Sequence, residues 1–155
     1  MNISFDLDGL LINGLKRFDV EKTGLLTRML TSEQLRLGTV RLFKALRSSG
    51  HYVHIYTTSL RSPLKIRMLF WAHGLSVDKV FNKTFHDRRI RDLPVSSSKY
   101  PPMFGIDLHI DDSEGVGIEA EKFGFRVLII EEQDTQWTET ILHEISRLKP
   151  DISLP

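Results

Sequence analysis

Short apolar runs alternate along the chain with longer segments in which apolar residues recur at helical spacing. Each apolar run ends in polar or turn-forming residues, which is typical of buried strands. The pattern predicts five strands, at residues 3–5, 52–56, 80–81, 108–110 and 127–130.

Local capping signals predict the helices that lie between these strands. Thr31 and Gln34 resemble a capping box, which predicts a helix from there to Gly50. Ser62 and Pro63 predict the start of another helix, since proline is favoured in a first helical turn. Further helices are predicted at residues 114–123 and from about residue 134 to residue 148, and a long loop at residues 83–105.

This alternation of strands and helices predicts an α/β protein. Because parallel strands need helical crossovers, we expect a single Rossmann-like, doubly wound parallel sheet with helices on both faces. The domain is predicted to span residues 1–150, followed by a short C-terminal tail at residues 151–155.

Composition excludes several classes of chemistry. The chain has 155 residues, a net charge of +1 and no cysteine, so disulfides, thiolate metal sites and cysteine nucleophiles are excluded. Its bulk charge gives no clear nucleic-acid signal. No apolar run approaches the length of a membrane span, which argues against a membrane partner, and a cytoplasmic location is the default expectation.

The first predicted strand ends in Asp6-Leu7-Asp8-Gly9. Two carboxylates converging at the end of a buried strand are costly unless a cation lies between them, and oxygen ligands suit Mg²⁺. Gly9 would allow the backbone a sharp turn. An ordinary strand followed by an acidic turn would give the same short pattern.

Two other predicted strands also end in polar residues. The second is followed by Thr57-Thr58-Ser59 and the fourth by Asp111-Asp112-Ser113. In open parallel sheets, ligands bind beyond the carboxyl ends of the strands. Three polar strand ends therefore favour a functional site over a chance acidic turn.

The order of these motifs resembles the haloacid dehalogenase-like (HAD) superfamily of phosphohydrolases, in particular its small members without a cap domain. The family's first motif matches residues 4–9, its second the strand ending at Thr57, and its fourth the strand ending in Asp111-Asp112. Its third motif is a lysine. Lys99 is the preferred candidate, and Lys79 and Lys83 are the alternatives.

The resemblance implies a Mg²⁺-dependent phosphomonoester hydrolase that acts through an aspartyl-phosphate. Asp6 would be the nucleophile and Asp8 the general acid and base. Mg²⁺ would be held by Asp6, the Asp8 carbonyl and Asp112, with Asp111 as an outer or water-mediated ligand. Phosphate would be bound by Thr57, Thr58 and Lys99.

The chain is short for this superfamily, so the site is expected to be open. An open site suits a phosphorylated substrate that could be macromolecular, and a second subunit of a homo-oligomer could act as a lid. A binding or regulatory protein without turnover and a phosphotransferase are the alternative functions. Several side chains are expected to have structural roles only: Trp71 in the core, His54 and His109 packed against helices, and His86 exposed.

Overall fold

A computed structural model describes residues 1–14 and 17–148. Its centre is a five-stranded sheet in which all neighbouring strands are parallel and lie in the order β3-β2-β1-β4-β5. The strands are β1 (Asn2–Phe5), β2 (Tyr52–Tyr56), β3 (Val80–Phe81), β4 (Leu108–Asp111) and β5 (Val127–Ile129). All five predicted strands are therefore confirmed, within a residue at their ends.

Helices follow or connect the strands. They are α1 (Leu25–Leu30), α2 (Thr39–Ser48), α3 (Pro63–Ala72), α4 (Lys83–Ile90), α5 (Glu114–Phe123) and α6 (Trp137–Leu148), with a 3₁₀ turn at Pro101–Phe104. The strand order grows outward from β1 in both directions. Because such crossovers are right-handed, the connecting helices fall on opposite faces of the sheet. The predicted doubly wound α/β fold is confirmed.

No cap domain is present within the described residues. Residues 17–30 contain only the six-residue helix α1, and residues 83–98 contain only the eight-residue helix α4. The tail predicted at residues 151–155 lies outside the described part of the chain. Among the described helices, none combines the length and the apolar character needed to cross a membrane.

The two faces of the sheet differ in chemistry because side chains alternate along each strand. One face is apolar and packs on α2 and α3. There the ring centroid of Phe43 lies 4.9 Å from that of Phe5 and 5.5 Å from that of Phe70. The opposite face carries polar side chains in register, since Ser4 pairs with both His54 and His109. This polar face leads directly to the candidate site.

The predicted capping box is wrong. Thr31 Oγ accepts a hydrogen bond from the Glu33 N–H at 3.0 Å, which forms a local turn instead of opening a helix. Leu35 then pairs with Ile12 in a β-bridge, and α2 begins only after Gly38. Residues just before α2 thus pair with residues that follow β1 instead of forming a helical turn.

The loop predicted at residues 83–105 is also wrong in part. Asn82 accepts a hydrogen bond from the Phe85 N–H at 3.1 Å and caps α4, and the 3₁₀ turn follows later in the segment. His86 is buried, where an exposed side chain was expected. Trp71 is 64% exposed, where a core position was expected.

Candidate functional site

Three strand ends converge at one edge of the sheet. Asp6 follows β1, Thr57 follows β2, and Asp111 is the last residue of β4. These three strands are neighbours, and the Asp6 N–H donates to the Ile110 carbonyl at 2.9 Å. The polar residues that the sequence analysis selected at strand ends are thus brought to adjacent positions.

Lys99 lies beneath this edge and is almost completely buried, with 1% exposure. Its Nζ donates to Asp6 Oδ1 at 2.5 Å, to the Tyr56 carbonyl at 2.8 Å and to Asp111 Oδ2 at 3.2 Å. These bonds use all three hydrogens of an ammonium group. The alternative lysines, Lys79 and Lys83, are exposed.

His109 is a member of the site that the sequence analysis assigned to packing. Its ring is fully buried, with Nδ1 2.8 Å from Ser4 Oγ and Nε2 2.9 Å from Asp111 Oδ2. Burial and the nearby charge of Lys99 lower the pKa of His109 to about 4. The neutral ring therefore donates Nε2–H to Asp111 and accepts the Ser4 hydroxyl at Nδ1.

The two buried carboxylates of the site have opposite pKa shifts. Burial, together with the charges of Asp111 and Asp112, raises the pKa of Asp6 to about 6, against the lowering effect of Lys99. Burial acts in the same direction on Asp111, but His109, Lys99 and the Ser113 N–H hold its pKa below the ordinary value. Because Asp111 accepts more hydrogen bonds than Asp6, a proton shared by this cluster resides on Asp6.

The environment of Lys99 is consistent with this distribution of charge. Burial acts to lower the pKa of the Lys99 ammonium, but the carboxylates of Asp6 and Asp111 outweigh burial and raise the pKa above its ordinary value. Lys99 is therefore a fixed cation in contact with two carboxylates.

Asp112 completes a cluster of three carboxylates. Oxygen atoms of Asp6, Asp111 and Asp112 all lie within 4.8 Å of one another. Lys99 Nζ contacts Asp6 and Asp111 of this cluster. Three carboxylates this close to one another offer the oxygen ligands that Mg²⁺ prefers. The residues present therefore fit a divalent cation.

Gly9 allows the backbone to pass close to this cluster. Its φ angle is +87°, in the left-handed region, and a Cβ atom at this position would lie 2.6 Å from Asp112 Oδ2. A side chain at residue 9 would therefore strain the turn and displace a candidate metal ligand.

Asp8 lies at the mouth of the site and is held by a residue that the sequence analysis missed. Arg61 Nη1 donates to Asp8 Oδ2 and to Ser59 Oγ, both at 2.8 Å. Arg61 Nη2 donates to Glu33 Oε1 at 2.7 Å. Burial acts to lower the pKa of Arg61, but its bonds to the two acids raise it. No motif signals Arg61, because its partners come from three separate segments.

Thr57 and Thr58 differ in their environment. Thr57 is buried, and its Oγ1 accepts the Ser59 N–H at 3.1 Å, which turns the chain sharply after β2. Thr58 is exposed at the same turn. The turn thus presents one fixed hydroxyl and one exposed hydroxyl at the carboxyl edge of the sheet.

A buried hydrogen-bond chain holds the segment that carries Lys99. The Tyr56 hydroxyl lies 2.5 Å from His86 Nδ1 and accepts the Tyr100 N–H at 2.8 Å. His86 Nε2 lies 2.9 Å from the Ser97 carbonyl. Since Nε2 must then carry the proton, the Tyr56 hydroxyl donates to Nδ1. These bonds fix the backbone on both sides of Lys99.

No protein-family model matches the chain, and a search among curated proteins found no relative.

Proposed function

We propose that the protein is a phosphomonoester hydrolase of the HAD-like type that depends on a divalent cation. The observation that carries the proposal is the contact of Asp6 with Lys99 beside Asp111 and Asp112, at the carboxyl edge of a parallel sheet. A nucleophilic carboxylate, a fixed cation and a candidate metal cluster are the groups that phosphoryl transfer requires.

In the proposed first step, an oxygen of Asp6 attacks the phosphorus of the substrate. The bond from phosphorus to the ester oxygen breaks, and an aspartyl-phosphate forms on Asp6. Asp8 gives its proton to the departing oxygen, which leaves as an alcohol. Arg61 donates to Asp8 Oδ2, and this contact would orient the Asp8 carboxyl group at the mouth of the site.

In the proposed second step, water attacks the phosphorus of the aspartyl-phosphate. Asp8, now ionised, accepts a proton from this water, and the bond between phosphorus and Asp6 breaks. Inorganic phosphate is released, Asp6 is again a carboxylate, and Asp8 is again protonated. The two carboxyl groups of the enzyme therefore return to their starting states over one cycle, in which the ester and one water become an alcohol and phosphate.

Lys99, Thr57 and Thr58 are the proposed phosphate-binding groups. The Thr57 hydroxyl is fixed by its turn, whereas Lys99 acts mainly as a positive charge that also holds Asp6. The proposal assigns the third-motif role to Lys99, which contacts Asp6, whereas Lys79 and Lys83 are exposed.

Asp6 and Asp112, with the Asp8 carbonyl, would hold Mg²⁺. Asp111 is better suited to an outer position, since both its oxygens already accept hydrogen bonds from Lys99, His109 and two backbone N–H groups. When bound, the ion offsets the repulsion between the anionic nucleophile and the phosphate and polarises a phosphoryl oxygen.

The decisive experiment is hydrolysis of p-nitrophenyl phosphate with Mg²⁺ and with a chelator. We expect turnover with Mg²⁺ only, and no turnover by Asp6→Asn, which keeps the size of the side chain but removes the nucleophile. Asp92→Asn is a matched control, because Asp92 is exposed and outside the site. Turnover by Asp6→Asn close to that of the wild type would exclude the mechanism.

The same assay separates the alternatives. Transfer of phosphate to an added alcohol in preference to water would indicate a phosphotransferase. Absence of turnover, with Mg²⁺ binding that Asp112→Asn abolishes in calorimetry, would indicate a binding or regulatory protein on this scaffold.

A further inference from the structure

Both oxygens of the Asp111 carboxylate are engaged in hydrogen bonds. Its Oδ1 accepts bonds from the N–H groups of Asp112 and Ser113, both at 2.9 Å. Its Oδ2 accepts a bond from Lys99 Nζ at 3.2 Å and one from His109 Nε2 at 2.9 Å. An ionised carboxylate has about four lone-pair sites. These bonds therefore leave no lone pair of Asp111 directed at a metal ion.

The donors to Asp111 differ in what else holds them. The two N–H groups belong to the turn that follows β4, and Lys99 also holds Asp6 at 2.5 Å. Among the described residues, His109 is the other side chain that donates to Asp111. Its Nδ1 lies 2.8 Å from the hydroxyl of Ser4, and both side chains are fully buried. His109 is therefore fixed between β1 and β4, with Asp111 as its partner at the site.

The directions of these two bonds follow from the charge of Asp111. Because an ionised carboxylate can only accept, His109 Nε2 carries the hydrogen, and Nδ1 of the neutral ring accepts the Ser4 hydroxyl. A neutral donor thus occupies Asp111 Oδ2. Unlike Lys99, His109 engages this oxygen without adding a positive charge to the cluster.

We propose that His109 is a positioning residue that keeps Asp111 out of direct contact with the metal ion and thereby shifts the preference of the site from Ca²⁺ towards Mg²⁺. The inference rests on the metal site of the proposed function. Oxygens of Asp6, Asp111 and Asp112 lie within 4.8 Å of one another, so Asp111 is close enough to become a third ligand. The bond from His109 opposes this by engaging an oxygen of Asp111.

The number of carboxylates in contact with the ion determines which cation fits the site. Mg²⁺ is usually bound through one or two carboxylates and keeps several waters, whereas Ca²⁺ takes about 6–8 oxygen ligands in flexible geometry. Asp6 and Asp112 supply the two carboxylates that suit Mg²⁺. A third carboxylate on the ion would favour Ca²⁺ and would weaken the attraction of the ion for an anionic phosphate.

The test is calorimetric titration of the full chain with MgCl₂ and with CaCl₂ at one fixed pH, which needs no turnover. His109→Leu removes the donor and frees an oxygen of Asp111. We expect its dissociation constant for Ca²⁺ to fall about tenfold, the scale on which partners of metal ligands tune affinity, and that for Mg²⁺ to fall by much less. General damage to the site would instead weaken the binding of both ions.

Two further variants separate positioning from a general effect of the substitution. His109→Gln should keep the affinities of the wild type, because its side-chain amide can donate to Asp111. His54→Leu is the matched control and should also leave both affinities unchanged. His54 is a buried histidine on the same face of the sheet and is paired in register with Ser4, but its Nε2 lies 3.3 Å from Asn2 Oδ1, away from the cluster.

A double-mutant comparison tests whether His109 acts through Asp111. In an Asp111→Asn background, His109→Leu should change neither dissociation constant, since the carboxylate that it would release is absent. Circular dichroism melting checks that each variant folds. His109→Asn replaces His109→Leu if the latter does not fold, because its shorter amide can stay bonded to Ser4 without reaching Asp111.

Unchanged or weaker Ca²⁺ binding by the folded variant that lacks the donor would overturn the proposal. An equal gain in Ca²⁺ affinity in the Asp111→Asn background, or in His54→Leu, would overturn it as well. Failure of the wild type to bind Mg²⁺ would overturn both this proposal and the metal dependence of the proposed function. Mg²⁺ binding without turnover, with the expected change in His109→Leu, would reject the hydrolase and support the role of His109.

Discussion

Asp6 is the least favourably placed carboxylate of the site, and its pKa predicts how stability depends on pH. The ordinary pKa of an aspartate is 3.8, and burial raises that of Asp6 to about 6 in the folded protein. Ionisation of Asp6 therefore costs stability as pH rises from about 4 to 6, and the full cost persists above pH 6.

We expect Asp6→Asn to stabilise the metal-free protein by about 1–3 kcal/mol at pH 7–8, since one pKa unit corresponds to about 1.4 kcal/mol. Lys99 retains Asp111 and the Tyr56 carbonyl as partners in the variant. The difference from wild type should shrink as pH falls towards 4. Chelator-treated proteins unfolded in urea at several pH values provide the measurement.

Mg²⁺ should reduce the difference in unfolding free energy between Asp6→Asn and the wild type. Metal binding stabilises the folded wild type more than a variant that lacks one of the metal-binding carboxylates. Asp92→Asn, outside the site, should show no such pH-dependent gain. A metal-free Asp6→Asn protein that is less stable than wild type at pH 8 would contradict the inference that ionising the buried Asp6 carboxyl group costs stability.

Arg61 gives a second prediction at this scale, which depends on the proposed mechanism. Because Arg61 holds Asp8 at 2.8 Å, Arg61→Met should misorient the general acid. Substrates whose leaving group needs a proton should then lose more rate than substrates with a good leaving group. General acids contribute about 10²–10⁴ in rate, so we expect phenyl phosphate to lose at least about tenfold more than p-nitrophenyl phosphate.

The comparison of leaving groups distinguishes positioning from a general structural effect. A variant that is merely less folded should lose the same factor on both substrates. Arg88→Met, an exposed arginine of α4, serves as a control. Equal losses on the two phosphates in Arg61→Met would reject a role of Arg61 in orienting Asp8.

At the scale of elements, the sequence predicts those helix ends that are determined by residues close together in the chain. Ser62 and Pro63 define the start of α3, where Ser62 accepts the Lys65 N–H at 3.3 Å, and Gly124 in the left-handed conformation ends α5. Where two local signals compete, the prediction fails. Thr31 can cap a helix or close a turn, and the bridge between Ile12 and Leu35 favours the turn.

The polar alternation in the strands was a signal that could have been used. Ser4 and Asp6, and likewise His109 and Asp111, are two residues apart, so each pair shares one face of the sheet. The strand ends alone predict Asp6 and Asp111 as site residues, and only the period of two adds His109. Applied to β4, the period would have placed His109 beside the site instead of packing it against a helix.

At the scale of the whole molecule, the site depends on contacts between distant segments. Lys99 and Asp6 are 93 positions apart, and Arg61 and Asp8 are 53 positions apart. The order of the strands explains why Asp6, Thr57 and Asp111 meet, and that order is one of those that doubly wound sheets adopt. The pairing of Arg61 with Asp8 depends on a loop conformation, which no periodic pattern in the chain encodes.

The small size of the insertions near the site leads to a prediction about substrates, which depends on the proposed function. Among the described residues, α1 and α4 are the only helices inserted near the site, so a small phosphorylated molecule would have few contacts beyond its phosphate. Binding energy from remote parts of a substrate is what lowers the barrier for a specific reaction. We therefore expect modest, unselective hydrolysis of small phosphomonoesters and a higher kcat/KM for a bulkier phosphorylated molecule.

Steady-state kinetics on small sugar phosphates, nucleotides, phosphopeptides and 3′- or 5′-phosphorylated oligonucleotides would measure this selectivity. One small metabolite hydrolysed at about 10⁷ M⁻¹s⁻¹ or faster would show that the chain encloses small substrates without help. The open edge would then not determine which substrates are preferred.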